Sequence, residues 1–515
     1  MGGPSTADLM ELLSPWVARQ RWYAGKGRDP VLRRIGGVRL EDPAGEVGID
    51  IHFLLDESGQ GRTTYQVPLT YRDARLAGGD PALVGTVGQA SRSDGIRYIY
   101  DAPHDPVFAT AFLRLMLDEG TTASGGEQAS GTEPASEGEP TSGEEPASGS
   151  ALGTATAEGH RAGNATPGQV LSARVLDGEQ SNTSIILDLV DALGAAPSIP
   201  LICKLFRVLH HGQNPDVVVQ SALAGAGSTR VPPSVGNVSG TWPDARVPDG
   251  VAAGHLAFAQ EYLPGVEDAW RVALAAIGSG ADFGERARTL GQVTAQVHAT
   301  LAQAMGTRDA TDEDVVTLTR SMQARHAAAC SEVPALAAHD AMVRLSIEAV
   351  SSAGWPALQR IHGDYHLGQV LDAPGRGWVL VDFEGEPMRP LAERTQPDLA
   401  LRDVAGMLRS LDYVAGCWEQ THPDLSAAQK SDLQAWATRA RAAFLDGYTD
   451  SAGRDPREDA VLLNALELDK ALYEVVYEAR NRPTWLGIPT NAIARIARAP
   501  RANQPSAGPR SDLRL

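Results

Sequence analysis

From Ile361 to Glu386 the chain reads Ile-His-Gly-Asp-Tyr-His-Leu-Gly-Gln-Val-Leu, a short gap, then Trp-Val-Leu-Val-Asp-Phe-Glu-Gly-Glu. No other stretch constrains the fold as much. A His-Gly-Asp turn presents one carboxylate, Asp364. The amide Gln369 follows five residues later, and Asp382 lies near the end of the apolar, strand-length run Trp378–Phe383, where a carboxylate can project into a cleft. His-Gly-Asp alone is a weak signal. Joined to that amide and that second aspartate, it is hard to explain as a surface loop beside an unrelated strand. Phosphoryl transfer to a hydroxyl requires mainly positioning, with cations on the phosphate oxygens. Asp364 is the candidate to accept the hydroxyl proton. Gln369 and Asp382 offer hard oxygen ligands that would hold Mg²⁺ against the phosphates of ATP. The expected chemistry is transfer of a phosphoryl group from ATP to an alcohol. His362 and His366 flank the aspartate, either as packed histidines that shape the loop or, for His366, in contact with the acceptor.

A length of 515 residues suggests two to four domains with ample core. The formal net charge is −19. An acidic chain of this kind is repelled by nucleic acid and anionic membrane, so neither is an expected partner. The basic run Arg19-Gln20-Arg21-Trp22-Tyr23-Ala24-Gly25-Lys26-Gly27-Arg28 stands out against that balance; either packing of Trp22 or a place near the phosphates would account for it. Cys203, Cys330 and Cys417 lie far apart with no Cys-x-x-Cys pair, which argues against a disulfide framework or a zinc site and predicts three reduced core thiols. No charged segment followed by an apolar run opens the sequence and no stretch approaches 18 apolar residues, so a cytoplasmic location is expected.

Residues 120–167 are almost wholly Gly, Ser, Ala, Thr, Pro and Glu, a composition that cannot bury enough apolar surface to offset chain entropy. We read them as a disordered insert. Before the insert, residues 1–119 show strand alternation at Val31–Leu40, Val47–Leu55, Thr63–Tyr71 and Ile96–Tyr100, and helical spacing over Pro106–Leu117. This predicts a small, mainly β cap domain. Residues 168–266 carry further strands at Val170–Leu176, Thr183–Leu189, Leu201–Val208 and Leu256–Leu263. Helical periodicity dominates 267–500, over 268–278, 282–305, 314–331, 333–352, 397–417, 425–449 and 456–480. Residues 501–515 are read as a disordered tail. A β-rich lobe followed by a larger helical lobe is the order of the α+β, protein-kinase-like bilobal fold, with nucleotide expected in the cleft between lobes.

That fold needs a phosphate-covering turn between two strands, then a strand lysine. The turn Asp177–Ser184 is in the right place, and Gln180, Ser181, Asn182, Thr183 and Ser184 could present backbone N–H groups and hydroxyls to phosphate. Lys204 interrupts the buried-type run Leu201–Phe206. An unpaired ammonium there is costly, and pairing with the α- and β-phosphates would explain it, as would snorkelling from an edge strand. Its carboxylate partner is Asp216, at the start of a helix, or Glu179, unless the ion pair is absent. Gln260, Glu261 and Tyr262 end the last small-lobe strand, where a hinge would read adenine through its backbone.

The acceptor should meet the large lobe. Glu384, Glu386 and Arg389 follow Asp382, and Arg402-Asp403 opens a helix. Lys470, Tyr473, Glu474, Tyr477 and Arg480 recur at three- and four-residue spacing, hence on one helix face. Carboxylates, cations and aromatic faces together suit a small sugar better than a peptide. An interhelix salt-bridge network is the competing explanation.

With these residues in view, the chain resembles the actinobacterial maltokinases. The resemblance is carried by Arg19–Arg28, Glu179–Ser184, Cys203–Arg207, Asn214-Pro215-Asp216, Gln260–Gly265, His362–Gln369, Asp382–Pro387, Arg389–Arg394, Leu401–Arg409 and Leu468–Pro483. It implies an N-terminal cap on an aminoglycoside-phosphotransferase-like kinase that uses Mg-ATP. The implied product is maltose 1-phosphate, which would feed α-glucan synthesis from trehalose-derived maltose, with a trehalose-isomerising enzyme as a metabolic partner. The 120–167 insert is longer than the family pattern, and Val218 stands where that pattern carries an acid. A related group phosphorylates glucosamine with the same cap and lobes. Glucosamine or aminoglycoside kinases are therefore the alternative readings, and a catalytically dead binding module is a third.

Overall fold

The computed structural model describes residues 6–59, 61–88, 96–123, 155–163, 168–176, 181–191, 193–194, 196–387 and 389–498. The chain forms two compact units, Met1–Val217 with Pro233–Pro264, and Val218–Pro232 with Gly265–Leu515. The first is β-rich and the second helical, which is the α+β order expected.

Two antiparallel sheets build the first unit. One runs Leu32–Leu40, Gly48–Asp56, Thr63–Arg72, Arg97–Asp101, Leu83–Val87, and the short strand Val208–Leu209 also pairs with Thr63–Arg72. The other runs Thr121–Ala123, Thr156–Arg161, Ser234–Pro243, Val251–Glu261, Leu201–Phe206, Asn182–Val190, Gln169–Val175. Ile35, Phe53 and Phe108 from the leader share one core with Leu187, Leu205 and Trp242, so leader and small lobe fold as one body. The run expected as one strand, 201–208, is cut at Arg207, and its two pieces join different sheets. Of the stretch 120–167, Thr121–Ala123 and Thr156–Arg161 are strands rather than insert. Residues 124–154 and 164–167 lie outside the described residues, as does the 501–515 tail. Strand Ser234–Pro243 was not legible in sequence because Gly236, Gly240 and two serines break its apolar alternation.

The second unit packs helices Ala269–Ser279, Gly284–Met305, Asp312–Glu332, Asp340–Ala349, Ala400–Thr421, Ala427–Ala452, Ala460–Asn481 and Gly487–Arg498 around one apolar core. Its small sheet contains Glu267–Asp268, Val370–Ala373 and Gly377–Leu380. The helix expected over 333–352 is broken: Pro334 lacks the N–H needed to continue a helix, and Pro334–His339 is a 3₁₀ turn before Asp340–Ala349. Among the described residues, no helix is long and apolar enough to cross a membrane.

Candidate active site

The His-Gly-Asp turn is held from below by one buried carboxylate. Asp403 accepts the His362 N–H at 2.8 Å and the Gly363 N–H at 2.9 Å, and its Oδ2 lies 3.0 Å from His298 Nε2. Burial penalises this charge, but the His298 hydrogen bond, the neighbouring histidines and the Gly363 N–H outweigh that and hold the carboxyl below its usual range. Three residues on from Asp403, Gly406 lets the helix approach the loop: a Cβ there would lie 2.6 Å from the Tyr365 carbonyl oxygen. One turn further, Ser410 Oγ accepts the Leu367 N–H at 3.1 Å. Gly363 itself sits at φ +84°, in the left-handed region open to glycine. Asp403, expected to touch the acceptor, is therefore a loop clamp, since its oxygens are committed and the residue is 1% exposed.

Spacing brings Gln369 and Asp382 together through a hairpin. Val370–Ala373 pairs with Gly377–Leu380, so the Gln369 carbonyl takes the Val381 N–H at 3.0 Å, and Gln369 Nε2 reaches Asp382 Oδ2 at 2.9 Å. Asp382 holds φ +68°, rare for a residue with a Cβ and costing on the order of 1–3 kcal/mol. Strain of this kind collects where a side chain must point in one direction. A turn of the Gln369 amide would set its oxygen beside the carboxylate. Two adjoining oxygen donors of this type fit Mg²⁺.

Asp364 opens a chain of alternating charges. Lys470 Nζ donates to Asp364 Oδ1 at 2.9 Å and to Glu386 Oε1 at 3.1 Å, above the Tyr473 ring at 4.6 Å. Arg325 then joins Glu386 at 2.9 Å and Asp469 at 3.1 Å. Arg402 links Asp469 at 3.2 Å to Asp398 at 2.8 Å, and Arg389 reaches Asp398 at 3.1 Å. Burial would push the Glu386 carboxyl up, but Lys470 and then Arg325 hold it down to about 2. Burial likewise opposes the Lys470 charge, and Asp364 and Glu386 outweigh it and raise its pKa. Asp364, Glu386, Lys470, Arg325 and Arg402 line a small chamber of about 20 Å³. Arg325, Arg389 and Arg402 also line a neighbouring cavity of about 500 Å³ beside Trp355.

Other expected acceptor residues are placed differently. His366 Nδ1 accepts the Gly368 N–H at 3.0 Å, so it caps the loop's 3₁₀ turn, and burial lowers its pKa. Glu384 gives its carbonyl to Arg394 Nη1 at 3.0 Å. On the 460–481 helix, Lys470, Tyr473 and Tyr477 stay together, with the two tyrosines stacked at 6.4 Å. Glu474 instead turns to buried Arg409 at 2.7 Å, and Arg480 turns to Glu332 at 2.6 Å. Those two are pairs between helices, the alternative weighed for this face. Sequence reasoning missed Arg325 and Asp469. Arg325 sits inside the unremarkable helical run Met322–Cys330, and only its partners reveal it.

In the first unit, Lys204 lies opposite Ser184 and Phe258 in the sheet, and its Nζ meets Asp216 Oδ2 at 3.1 Å. The partner left open in sequence is thus Asp216; Glu179 and the expected phosphate contact Gln180 lie outside the described residues. Ser181 is exposed, and Asn182 and Ser184 are buried strand residues. Thr183 is committed inward, with Oγ1 accepting Arg207 Nε at 2.8 Å. Arg207 is fully buried, pairs with Asp101 at 2.7 Å and lies 5.0 Å from the Trp22 ring centroid. Trp22 and Tyr23 are core residues, so for Trp22 the 19–28 run is packing within this unit. At the expected hinge, the Glu261 N–H goes to the Pro233 carbonyl at 3.0 Å and the Tyr262 N–H to the Pro200 carbonyl at 2.8 Å. Neither N–H is left to read adenine. Gln260 Oε1 is buried with no partner among the described residues.

Residues 16–105 match the family model of the maltokinase N-terminal cap domain. The glucosamine kinase of Mycolicibacterium smegmatis is 33% identical over 340 residues, covering 61% of this chain and 77% of that protein. The glucosamine kinase of Streptacidiphilus jiangxiensis is 33% identical over 288 residues, covering 52% of this chain and 62% of that one. A solved glucosamine kinase in complex with glucosamine, ADP and inorganic phosphate aligns with TM-score 0.53 at 26% identity, over 64% of this chain and 80% of that chain. A further glucosamine kinase crystal form aligns with TM-score 0.61 at 22% identity over 96% of this chain and 99% of that one, a likeness of fold.

Proposed function

The chain belongs to the glucosamine kinase family and carries a maltokinase-type cap over residues 16–105, and from that premise we propose that it phosphorylates a small sugar with ATP, maltose being the acceptor and maltose 1-phosphate the product. The observation that carries the reading is the Asp364–Lys470–Glu386 chain beside the Gln369–Asp382 pair: a carboxylate fixed by a shared ammonium, next to two oxygen donors.

Each residue then has a part. Asp364 accepts a hydrogen bond from the anomeric hydroxyl and takes its proton at a carboxylate oxygen as the O–P bond forms. Lys470, shared with Glu386, keeps that carboxylate in one orientation. Asp403 keeps the loop backbone rigid beneath it. Gln369 and Asp382 would hold Mg²⁺, which when bound neutralises charge on the phosphate oxygens. Lys204, oriented by Asp216, binds nucleotide phosphate. Tyr473 and Tyr477 offer stacked ring faces to the C–H side of a sugar.

Maltose is favoured by the Leu468–Pro483 segment and by the cavity of about 500 Å³ beyond Arg325 and Arg402, room of the order a drug-sized ligand needs. The 33% identity to two glucosamine kinases supports glucosamine as the second reading. ATP consumption with Mg²⁺ across maltose, glucose, glucosamine and kanamycin decides. Turnover with maltose and loss of product on mild acid treatment are expected, because a glycosyl phosphate is acid-labile. Turnover with glucosamine and none with maltose would overturn the maltose assignment, and silence with every sugar would overturn the kinase reading.

A further inference from the structure

Away from the Asp364 chain, three ligand-type side chains meet between two helices. His326 and Cys330 lie one turn apart on Asp312–Glu332, and Asp340 opens Asp340–Ala349. His326 Nε2 is 3.3 Å from Cys330 Sγ and 3.6 Å from Asp340 Oδ1. All three ligand atoms lie within 4.8 Å of one another. A tetrahedral Zn²⁺ with bonds of about 2.0–2.3 Å separates its ligand atoms by roughly 3.3–3.8 Å, so the distances measured from His326 already match occupied-site spacing.

The surroundings suit an ion. His326 is buried at 4% exposure, whereas Cys330 and Asp340 are only partly covered, which leaves solvent to supply a fourth ligand. Arg344 Nε donates to both Asp340 oxygens, at 3.0 and 2.9 Å, and fixes the carboxylate as outer-shell partners of metal ligands do. A hydrogen bond between imidazole and thiol needs no third group, yet here a carboxylate from the next helix shares the same point. Thiolate, imidazole and carboxylate together select borderline metals over Mg²⁺ or Ca²⁺.

We propose that His326, Cys330 and Asp340 form a Zn²⁺ site that clasps helix Asp312–Glu332 to helix Asp340–Ala349 across the Pro334–His339 turn. Arg325, which holds Glu386 and Asp469, immediately precedes His326. The metal therefore fixes the helical turn that presents this arginine to the charge chain. The site is separate from the Gln369–Asp382 pair and does not depend on which sugar is the acceptor.

Co²⁺ is the probe, added to reduced, chelator-treated full-length protein. Wild type is expected to bind one Co²⁺ with thiolate-to-metal charge-transfer absorption that Zn²⁺ bleaches. Cys330→Ser abolishes the band, and Cys417→Ser keeps it. Zn²⁺ should also raise the Tm of wild type by about 3 °C or more and leave that of His326→Ala unchanged. Absence of the band, its survival in Cys330→Ser, or an equal Zn²⁺ effect on His326→Ala would overturn the assignment. If Cys330→Ser does not fold, Asp340→Asn takes its place: the band persists and Co²⁺ affinity drops at least about tenfold. Unchanged affinity would remove Asp340 from the site and refute the three-ligand clasp.

Discussion

Glu386→Gln isolates the charge of one buried carboxylate while keeping its shape. Glu386 is 5% exposed and takes Lys470 at 3.1 Å and Arg325 at 2.9 Å. Its carboxyl is held at about 2 against an ordinary 4.5, because Lys470 and Arg325 outweigh burial. At about 1.4 kcal/mol per pKa unit, that depression corresponds to roughly 3 kcal/mol of folding stability. The direction is fixed by linkage. A carboxylate whose folded pKa is depressed stabilises the protein above its unfolded pKa, near 4.5, and the contribution disappears as pH falls through the folded value. The glutamine variant should therefore be less stable than wild type by about 3 kcal/mol at pH 7. The deficit should stay level down to about pH 5 and fall by more than half near pH 3. Urea unfolding followed by tryptophan fluorescence, at several pH values, measures it. A variant within about 0.5 kcal/mol of wild type at pH 7, the scatter of an inconsequential surface change, would refute the claim that the Lys470–Glu386–Arg325 link carries this energy. A deficit independent of pH would assign the loss to packing instead.

Other substitutions probe separate parts. Asp364→Asn removes the proton acceptor but keeps its size, so kcat should fall by about 10²–10⁴ with little change in the KM for ATP; unchanged turnover in the ATP-consumption assay would mean that another group is the base. Asp403→Ala leaves His298 and the His362 and Gly363 N–H groups without their partner, each worth on the order of 1–3 kcal/mol, and should cost several kcal/mol in urea unfolding together with most of the activity. Trp22→Ala empties the space beside Arg207 and should destabilise the first unit by about 3–5 kcal/mol, read as a lower first transition in calorimetry.

Legibility followed the range of each interaction. The juxtaposition of Gln369 and Asp382 could be read because a short hairpin joins them, and their spacing in sequence fixes their spacing in space. Lys204 could be recognised by its cost in an apolar strand, while Asp216 could be named only as one candidate partner, because it is brought to the lysine by the packing of a helix start. On the 460–481 helix, a rotation of about 100° per residue puts Glu474 about 40° to one side of Lys470 and Arg480 about 80° to the other. Spacing by three and four therefore described a band wider than the face that meets Asp364, and its outer members found Arg409 and Glu332. Arg402-Asp403 looked like a pair of acceptor contacts. One of the two points inward, and the only local hint was Gly406, a helix position where a side chain would strike the loop.

The leader shows the other limit. Periodicity reports which residues share a face within one element and says nothing about which sheet that face will meet. The composition break at 120–167 suggested a boundary between cap and small lobe, yet buried Gln66 donates to the carbonyls of Phe206 at 3.0 Å and Leu256 at 2.9 Å, across that break. Arg207 sits where one run leaves one sheet for the other, and there it gathers Asp101, Thr183 and the Trp22 ring. Burying a guanidinium in this way is costly, and the Asp101 carboxylate, with both oxygens on Nη2, offsets much of that cost. The Trp22 region, read alone as a basic patch, thus packs against a residue about 185 positions away in sequence, at the point where the two sheets exchange a strand.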